Sequence, residues 1–378
     1  MRAHFSFFTA RGFSVAAGVL AGALALSGTS GNKKFTVHDK AYYADPAVVE
    51  YVQPGLTITV VSAKLATDGT ISVDYKLTDP NGALLDQSGV VTPGPVTLSF
   101  LVAYIPSGQA QFTSYITRVA TAVSGGATAT QAASDSGGMT QTVATGEYVY
   151  TYKTHAPTGF DPTATHRVGI YGARNLTEWD LGTSYANITY DWVPAGNSAP
   201  APRDIVRTPD CNACHSSLAA HGGSRRTVDL CIMCHQPQTS DPNTGNSLDM
   251  KVFIHQIHMG SSLPSVKAGT SYQILGFENS VNDFSTVVYP ADVRRCQTCH
   301  NPNNGAAQTN AWLTTPSRAA CGSCHDDVNF ATGANHVNLP QVNDNEARAA
   351  TFRRASFPLT PRSSARTRSP IRRLGYPG

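Results

Sequence analysis

The sequence predicts two dissimilar parts: an all-β N-terminal domain, built as a Greek-key sandwich or split barrel, followed by a loop-rich domain that is mostly irregular and α-helical. Three observations predict this division. Short runs of β-type sequence fill positions 33–200 and then stop. All eight cysteines lie between Cys211 and Cys324. At ordinary domain sizes, the 378 residues allow two or three domains.

The first 30 residues are typical of a signal peptide for export. Arg2 and Arg11 precede an apolar run at 13–26, and small residues follow the run at 27–31. The alternative, a single membrane anchor, is disfavoured because a membrane span takes about 18 apolar residues or more. No cysteine follows the run, so the sequence offers no lipid-attachment residue there. We expect an exported protein, located in the periplasm or at the outer membrane and cell surface.

The charge distribution argues against a nucleic-acid binder. Residues 33–341 hold 18 basic and 23 acidic side chains, and eight of the 28 basic residues are arginines in 342–378. A nucleic-acid-binding fold carries a basic footprint on its own surface. The body of this chain is acidic instead, so that class of function is excluded as the leading interpretation.

Residues 33–200 are expected to form the β-domain. Alternating runs at 56–65 and 71–77 flank the turn Asp68-Gly69, which predicts a hairpin. Further strands are expected at 96–105, 112–119, 148–152, 168–171 and 185–193. The Gly-, Ser-, Thr- and Ala-rich stretch 124–145 is expected to be a long surface loop.

Nothing in the β-domain has the spacing of a catalytic site. Its histidines, His38, His155 and His166, are isolated in the sequence, and we expect them on the surface or in loops. The Pro- and Ala-containing segment 197–203 is predicted to be a linker. The second domain is expected at 204–341.

The eight cysteines form four Cys-x-x-Cys-His motifs, numbered here in chain order: Cys211–Cys214–His215, Cys231–Cys234–His235, Cys296–Cys299–His300 and Cys321–Cys324–His325. Two thiols at this spacing reach the two vinyl groups on one porphyrin edge, and the next imidazole binds the iron. Zinc knuckles and redox dithiols are the alternatives. A zinc site needs no histidine after every second cysteine, and a redox pair rarely occurs four times. The motifs therefore predict four covalently bound c-type hemes.

The remaining histidines supply a second axial ligand for each iron. Beyond the four histidines of the motifs, the domain contains four more, His221, His255, His258 and His336. Four irons and four spare imidazoles predict bis-histidine, six-coordinate hemes without an open site. The competing ligands would be Met233, Met250 and Met259, which we rank lower because each would leave an imidazole idle.

Two details of spacing refine this assignment. His255 and His258 lie three positions apart on a helix predicted over 248–260, so they share one face and are expected to ligate two different hemes. His221 is too close in sequence to His215 to face it easily across one heme. We therefore expect His221 to serve a neighbouring heme.

The second domain resembles the OmcA/MtrC family of decaheme c-type cytochromes. The resemblance is carried by the motif-containing runs 211–223, 248–260, 283–290 and 320–336. All eight ligand histidines named above fall on matching family positions. The resemblance implies alternating Greek-key β-domains and pentaheme domains, of which this chain holds the first of each. The sequence departs from the family in lacking a lipid-anchor cysteine after the signal and in showing four hemes where the family's first heme domain has five.

The Arg-rich tail 342–378 is a poor continuation of an acidic heme domain. Reading its codons in a shifted frame from about residue 346 permits another Cys-x-x-Cys-His sequence. We therefore expect that a frameshift scrambles a fifth heme site and truncates the chain. The alternative is a genuine basic, disordered tail.

The function expected from these features is electron transfer through closely spaced bis-histidine hemes rather than dedicated enzyme catalysis. By resemblance, the acceptors would be metal oxides, soluble metals or flavins, which includes metal-reductase activity. The partners would be other multiheme cytochromes or a porin–cytochrome conduit of the outer membrane. The alternatives are a periplasmic reductase of nitrogen or sulfur oxyanions with one open heme, and a β-domain that binds a surface or partner with the hemes as cargo.

Overall fold

A computed structural model describes residues 34–196, 200–201 and 203–344. The signal segment 1–30 and the proposed frameshift near residue 346 lie outside the described residues. The N-terminal part is β-rich and antiparallel, and the later part consists of loops and short helices, which confirms the predicted order of the two fold types. Among the described residues, no helix has the length and apolar character needed to span a membrane.

Two short helices precede ten strands in the N-terminal part. The helices are α1 (Lys40–Tyr43) and α2 (Pro46–Val52). The strands are β1 (Thr57–Leu65), β2 (Ile71–Thr78), β3 (Val96–Tyr104), β4 (Thr113–Ser114), β5 (Thr117–Thr121), β6 (Thr128–Ala132), β7 (Met139–Ala144), β8 (Glu147–Thr151), β9 (His166–Leu176) and β10 (Gly182–Trp192). A 3-10 turn at Thr177–Trp179 joins β9 to β10.

The strands form two four-stranded sheets, ordered β1-β2-β8-β7 and β10-β9-β3-β4, and a separate β5–β6 hairpin. All strand pairs are antiparallel. Alternate residues of β2 are buried, because side chains in a strand point to opposite faces in turn. They meet residues of β3, β8 and β9 in one shared apolar core, so the sheets pack face to face.

The stretch 124–145 is not a loop. It contains β6 and β7, which pair with β5 and β8. Every residue of β7 is exposed, so the strand lacks the apolar alternation by which sequence reveals a half-buried strand. Backbone pairing along a sheet edge forms it instead.

His166 is also not a surface or loop histidine. It is the first residue of β9 and has 0% of its surface exposed. Its Nδ1 donates to the Ala164 carbonyl at 2.9 Å, and its Nε2 accepts from the Tyr115 hydroxyl at 2.8 Å. Burial is possible because both ring nitrogens have partners. His38 and His155 are exposed, as expected.

The second part holds six short helices and one small hairpin. They are α3 (Thr208–Asn212), α4 (Val228–Cys231), α5 (Met250–Met259), α6 (Pro264–Lys267), α7 (Ala311–Thr314), α8 (Arg318–Gly322), β11 (Gln273–Leu275) and β12 (Val281–Asp283). The 3-10 turns are Gly260–Ser262, Phe277–Asn279 and Cys296–Thr298. The longest helix, α5, has ten residues, so loops set most of this part.

The two parts share a buried interface. Met233, inside the second motif, packs with Leu101 and Phe112 of the β-domain in a second apolar cluster. A side-chain Cβ at Gly169 in β9 would lie 2.5 Å from the Met233 sulfur, so a larger residue there would require the Met233 side chain to shift. Polar contacts flank the cluster, including a hydrogen bond of 2.9 Å from the Ser114 amide to the Gln236 side chain. The second motif is therefore packed against the sheet that contains β3 and β9.

Candidate heme-binding site

Each Cys-x-x-Cys-His motif forms one helical turn. The histidine amide of every motif donates to the carbonyl of its first cysteine, at distances of 2.8–3.0 Å. The first cysteines belong to α3, α4, the 3-10 turn at Cys296–Thr298 and α8. A single turn brings residues three positions apart to the same side. The local fold therefore presents two thiols together, with one imidazole beside them.

Several motif cysteines have a raised thiol pKa, whereas redox and zinc-binding cysteines have a lowered one. All eight motif cysteines are free of disulfides. Burial is the main cause that raises the pKa of Cys211 to about 11, of Cys231 to about 12 and of Cys234 to about 11. Redox dithiols and metal thiolates depend on a lowered pKa. Cys211, Cys231 and Cys234 are thus held as protonated thiols, unlike the thiolates of a redox or zinc site.

Three motif histidines face a spare histidine at nearly the same distance. The ring centres are 6.2 Å apart in His215–His258, 6.1 Å apart in His221–His235 and 6.2 Å apart in His255–His300. A metal–imidazole bond is about 2 Å long and the ring centre lies roughly 1 Å beyond the nitrogen. Two imidazoles on opposite sides of one iron therefore have centres about 6 Å apart, which these pairs match.

The fourth pair is not assembled in the same way. Within the described part of the chain, no ring contact joins His325 to His336. The His336 ring instead lies 6.0 Å from Phe330, and its Nδ1 is 3.2 Å from the Gln341 side-chain oxygen. The sequence named His325 as a proximal ligand and His336 as a distal one without pairing them, and both roles stay predictions.

Helix α5 carries two of the paired imidazoles. Asp249 accepts a hydrogen bond from the Lys251 amide at the helix start, and Gly260 ends the helix at a φ of 43°. The Nδ1 atoms of His255 and His258 donate to carbonyls one turn earlier, at 2.6 and 2.8 Å. Each Nε2 is thereby left to point away from the helix, as metal-binding imidazoles require.

Two of the four motif histidines, His235 and His300, are partly buried, whereas His215 and His325 are exposed. Burial lowers the pKa of His235 and of His300 to about 4. The Nδ1 of His235 donates to the Leu248 carbonyl at 2.9 Å. These rings are therefore neutral at physiological pH, and neutral imidazole is the form that binds metal.

The arrangement of donors fits heme better than a metal ion held by protein alone. Across the described residues, no group of three or more His, Cys, Asp or Glu side chains converges as a bound ion would require. Beside the third motif, a cleft of about 420 Å³ is lined by Arg295, Cys296 and Trp312, among others. The Trp312 ring lies 6.1 Å from that of His300. An aromatic and cationic lining of this kind suits a porphyrin with acidic side chains.

Thiols of different motifs lie near one another in space. After burial, the raised pKa of Cys211 in the first motif owes most to Cys299 in the third. The pKa of Cys231 in the second motif is raised by burial and in part by Cys211. That of Cys324 in the fourth is raised by burial and in part by Cys296. Thiols of the first motif therefore lie near thiols of the second and third motifs, and a thiol of the fourth lies near one of the third.

Of the methionines considered as competing ligands, Met233 has a clear structural position. It is 1% exposed and belongs to the interdomain cluster described above. Sequence reasoning missed this packing, because the β-domain partners of Met233, such as Leu101, Phe112 and Gly169, lie more than 60 residues earlier in the chain. It also missed the contacts of Asn187, Tyr171 and Arg225 around His221, which join distant segments and leave no local signal.

The fold, the helical-turn motifs and the opposed imidazoles together define the class of multiheme c-type cytochromes. Residues 203–356 match the family model described as outer membrane cytochrome MtrC/MtrF-like, domains II/IV. The multiheme cytochrome MtrC of Shewanella baltica (strain OS185) is 29% identical over 154 residues, which are 40% of this chain and 19% of that protein.

Two solved structures share the fold. The outer membrane decaheme cytochrome OmcA superposes with a TM-score of 0.61 and 26% identity, covering 72% of this chain and 43% of that one. MtrC from Shewanella baltica OS185 gives a TM-score of 0.52, covering 78% of this chain and 43% of that one; at 23% identity this likeness concerns the fold alone. These likenesses support an OmcA/MtrC-family multiheme cytochrome, and the chain spans less than half the length of these relatives.

Proposed function

We propose that the chain conducts electrons through four covalently attached c-type hemes, each clamped between two imidazoles. The observation that carries the proposal is the spacing of 6.1–6.2 Å between the ring centres of three histidine pairs, one member of each pair belonging to a Cys-x-x-Cys-His turn. We assign residues 33–200 to a β-domain and 204–341 to the heme domain. When bound, each heme iron supplies reversible one-electron exchange.

The protein's own residues tether, orient and insulate these centres. In each motif the two cysteines form the thioether bonds and the following histidine is the proximal ligand, so that the proximal set is His215, His235, His300 and His325. The distal ligands, in the same order of motifs, are His258, His221, His255 and His336. With a histidine pair holding each heme, these residues would leave no position at the iron for a substrate and would favour transfer of electrons over bond chemistry.

We infer from the neighbouring thiols of the motifs a path for conduction, which electrons could follow from either end. Electrons entering at the second motif would pass the first and third before reaching the fourth. Helix α5 provides ligands to the first and third centres, through His258 and His255, and so spans the middle step of the path. We infer low-potential exchange with acceptors such as metal oxides, soluble metal ions or flavins.

Location and partners follow from relatives that are named as outer-membrane cytochromes. We infer export to the outer membrane or cell surface, where other multiheme cytochromes or a porin–cytochrome conduit would exchange electrons with the chain. The charge balance of the heme domain and its partners' surfaces would steer such encounters.

Heme stoichiometry and spin state test the proposal. The purified holoprotein is expected to contain four hemes per polypeptide by pyridine hemochrome and intact mass. Its electron paramagnetic resonance spectrum is expected to show low-spin ferric iron only. A high-spin signal at full stoichiometry for one heme would instead favour a reductase with an open coordination site.

A further inference from the structure

The loop that carries His221 has an unfavourable backbone. Residues 220–225 form a tight turn closed by two hydrogen bonds between Ala220 and Arg225, of 2.9 and 3.2 Å. Inside it, His221, Gly222 and Gly223 have φ values of 51°, 69° and 86°. Glycine adopts this left-handed region freely, whereas a histidine there is strained. The loop therefore needs support from outside itself.

His221 also differs from the other spare histidines in how its ring is held. His255 and His258 are fixed by hydrogen bonds within α5, as described above. Within the described residues, the His221 ring makes no hydrogen bond of its own. Its position relative to His235 thus depends on where the backbone of its loop is held.

That support comes from strand β10 of the β-domain. The Asn187 Nδ2 donates to the Ser224 carbonyl at 2.8 Å, and its Oδ1 accepts from the Arg226 amide at 2.6 Å. The Asn187 side chain thereby binds the loop backbone at two residues, Ser224 and Arg226, which follow the left-handed residues. Asn187 is part-buried, so these bonds are shielded from competing water.

Two tyrosines extend the contact on either side of Asn187. The Tyr171 hydroxyl accepts a hydrogen bond of 2.8 Å from Arg225, whose guanidinium also lies 4.1 Å from the ring centre. The Arg226 guanidinium lies 5.0 Å from the ring of Tyr185. Stacked arginines of this kind add cation–π attraction to the backbone hydrogen bonds. The C-terminal arm of the loop is therefore attached to the β-domain through Ser224, Arg225 and Arg226.

We propose that Asn187 is a positioning residue that holds His221 in place as the distal ligand of the second heme, so that the β-domain controls coordination at that iron. The inference rests on the proposed function, which makes His221 an axial ligand. It adds that the β-domain is part of the machinery of the heme domain. Releasing the loop would free the strained backbone to relax and would withdraw His221 from iron.

Carbon monoxide binding to the reduced holoprotein tests this proposal, because carbon monoxide takes a coordination position only after an axial imidazole leaves. The test variants are Asn187→Ala and His221→Ala, and the matched control is Asn175→Ala. Asn175 also lies in the β-domain and makes two side-chain hydrogen bonds, to Thr177, far from the His221 loop in sequence. Heme content is measured for every variant by pyridine hemochrome.

In Asn187→Ala we expect carbon monoxide to bind one heme per chain at a rate raised about tenfold, since two hydrogen bonds of ordinary strength are lost and each 1.4 kcal/mol is a factor of ten. Asn175→Ala should behave as the wild type. His221→Ala should bind carbon monoxide at one heme without delay and so gives the reference amplitude.

The outcomes separate the two levels of inference. If His221→Ala opens no heme, the ligand assignment in the proposed function is wrong. If His221→Ala opens one heme while Asn187→Ala matches Asn175→Ala, the ligand assignment stands and the positioning role of Asn187 is overturned. Should Asn187→Ala fail to retain its hemes, Asn187→Asp decides: it keeps the acceptor for Arg226 and loses the donor to Ser224. An unchanged carbon monoxide rate in Asn187→Asp would then overturn the proposal.

Discussion

The imidazole rings of His255 and His300 lie 6.2 Å apart between their centres, with their planes inclined by 29°. One ring comes from helix α5 and the other from a motif 45 positions later in the chain. Three residues further along α5, His258 stands at the same distance from His215. Two neighbouring residues of one helix thus face partners from two different motifs.

Removing each α5 histidine should open a different heme. We expect His255→Ala and His258→Ala each to convert one heme per chain from low to high spin, and the double variant to convert two, because the rings face separate motifs. Electron paramagnetic resonance spin quantitation measures the change. His155→Ala, an exposed position in the β-domain, is the control. A double variant with only one high-spin heme would contradict the separate pairing.

The Met233 side chain should contribute substantially to the stability of the holoprotein. It is 1% exposed at the interface between the two parts of the chain. Met233→Ala leaves a cavity, so we expect the free energy of unfolding to fall by about 2–5 kcal/mol. Urea unfolding followed by far-ultraviolet circular dichroism measures the loss. Met139→Ala, at a residue 77% exposed on β7, should change the free energy little; equal effects at both positions would refute the interface assignment.

Arg174 should be the most sensitive charged residue of the β-domain. It is 1% exposed, and its guanidinium donates to four backbone carbonyls, those of Val52, Gln53, Gly55 and Pro93. Arg174→Met strands these acceptors, and we expect a loss of about 3 kcal/mol or more in the free energy of unfolding. Thermal unfolding is the measurement, with exposed Arg118→Met as the control. A loss no larger than that of the control would show that water satisfies these carbonyls.

The buried histidine His166 should make the β-domain acid-sensitive. The pKa of His166 in the folded state is lowered, mainly by burial, although the hydrogen bond to the Ala164 carbonyl opposes the shift. The unfolded chain, with a histidine pKa of about 6.5, therefore binds more protons as pH falls. Stability contributed by neutral His166 is full above pH about 6.5 and is lost as pH falls towards the folded-state pKa.

Denaturant midpoints measured across this pH range check that expectation. His166→Gln should be less stable than the wild type above pH about 6.5 and should lose less stability on acidification. The matched variant His155→Gln changes an exposed histidine and should keep the wild-type dependence on pH. Parallel curves for wild type and His166→Gln would rule out His166 as the titrating group.

Local patterns made part of this molecule predictable from the sequence. The alternation of apolar residues at Ile71, Val73, Tyr75 and Leu77 predicts strand β2. The pattern is visible because these four side chains share one fully buried face of the strand. The spacing of the Cys-x-x-Cys-His motifs predicts helical turns, because one turn is what brings their three side chains together. Helix α5 is predictable because its boundary signals, the cap residue Asp249 and the terminating Gly260, adjoin the helix in the sequence.

Features set by distant partners were not predictable. Strand β7 has no buried face and forms only because β8 offers its edge. His166 is buried because Tyr115, 51 positions earlier, supplies a hydroxyl to its ring. The pairing of His221 with His235 depends on Asn187, which lies in another part of the chain. Such contacts arise from topology, and no short pattern in a single sequence reports them.

The placement of two axial ligands on one turn of α5 has a mechanical consequence in the proposed holoprotein. Thermal motion of the surrounding loops would displace His255 and His258 together, as a rigid unit held by the hydrogen bonds of the helix backbone. The gap between the two carriers they serve would then stay nearly constant while the rest of the domain fluctuates. Because electron tunnelling weakens steeply with distance, the throughput of that central step would be protected from the flexibility of a protein made mostly of loops.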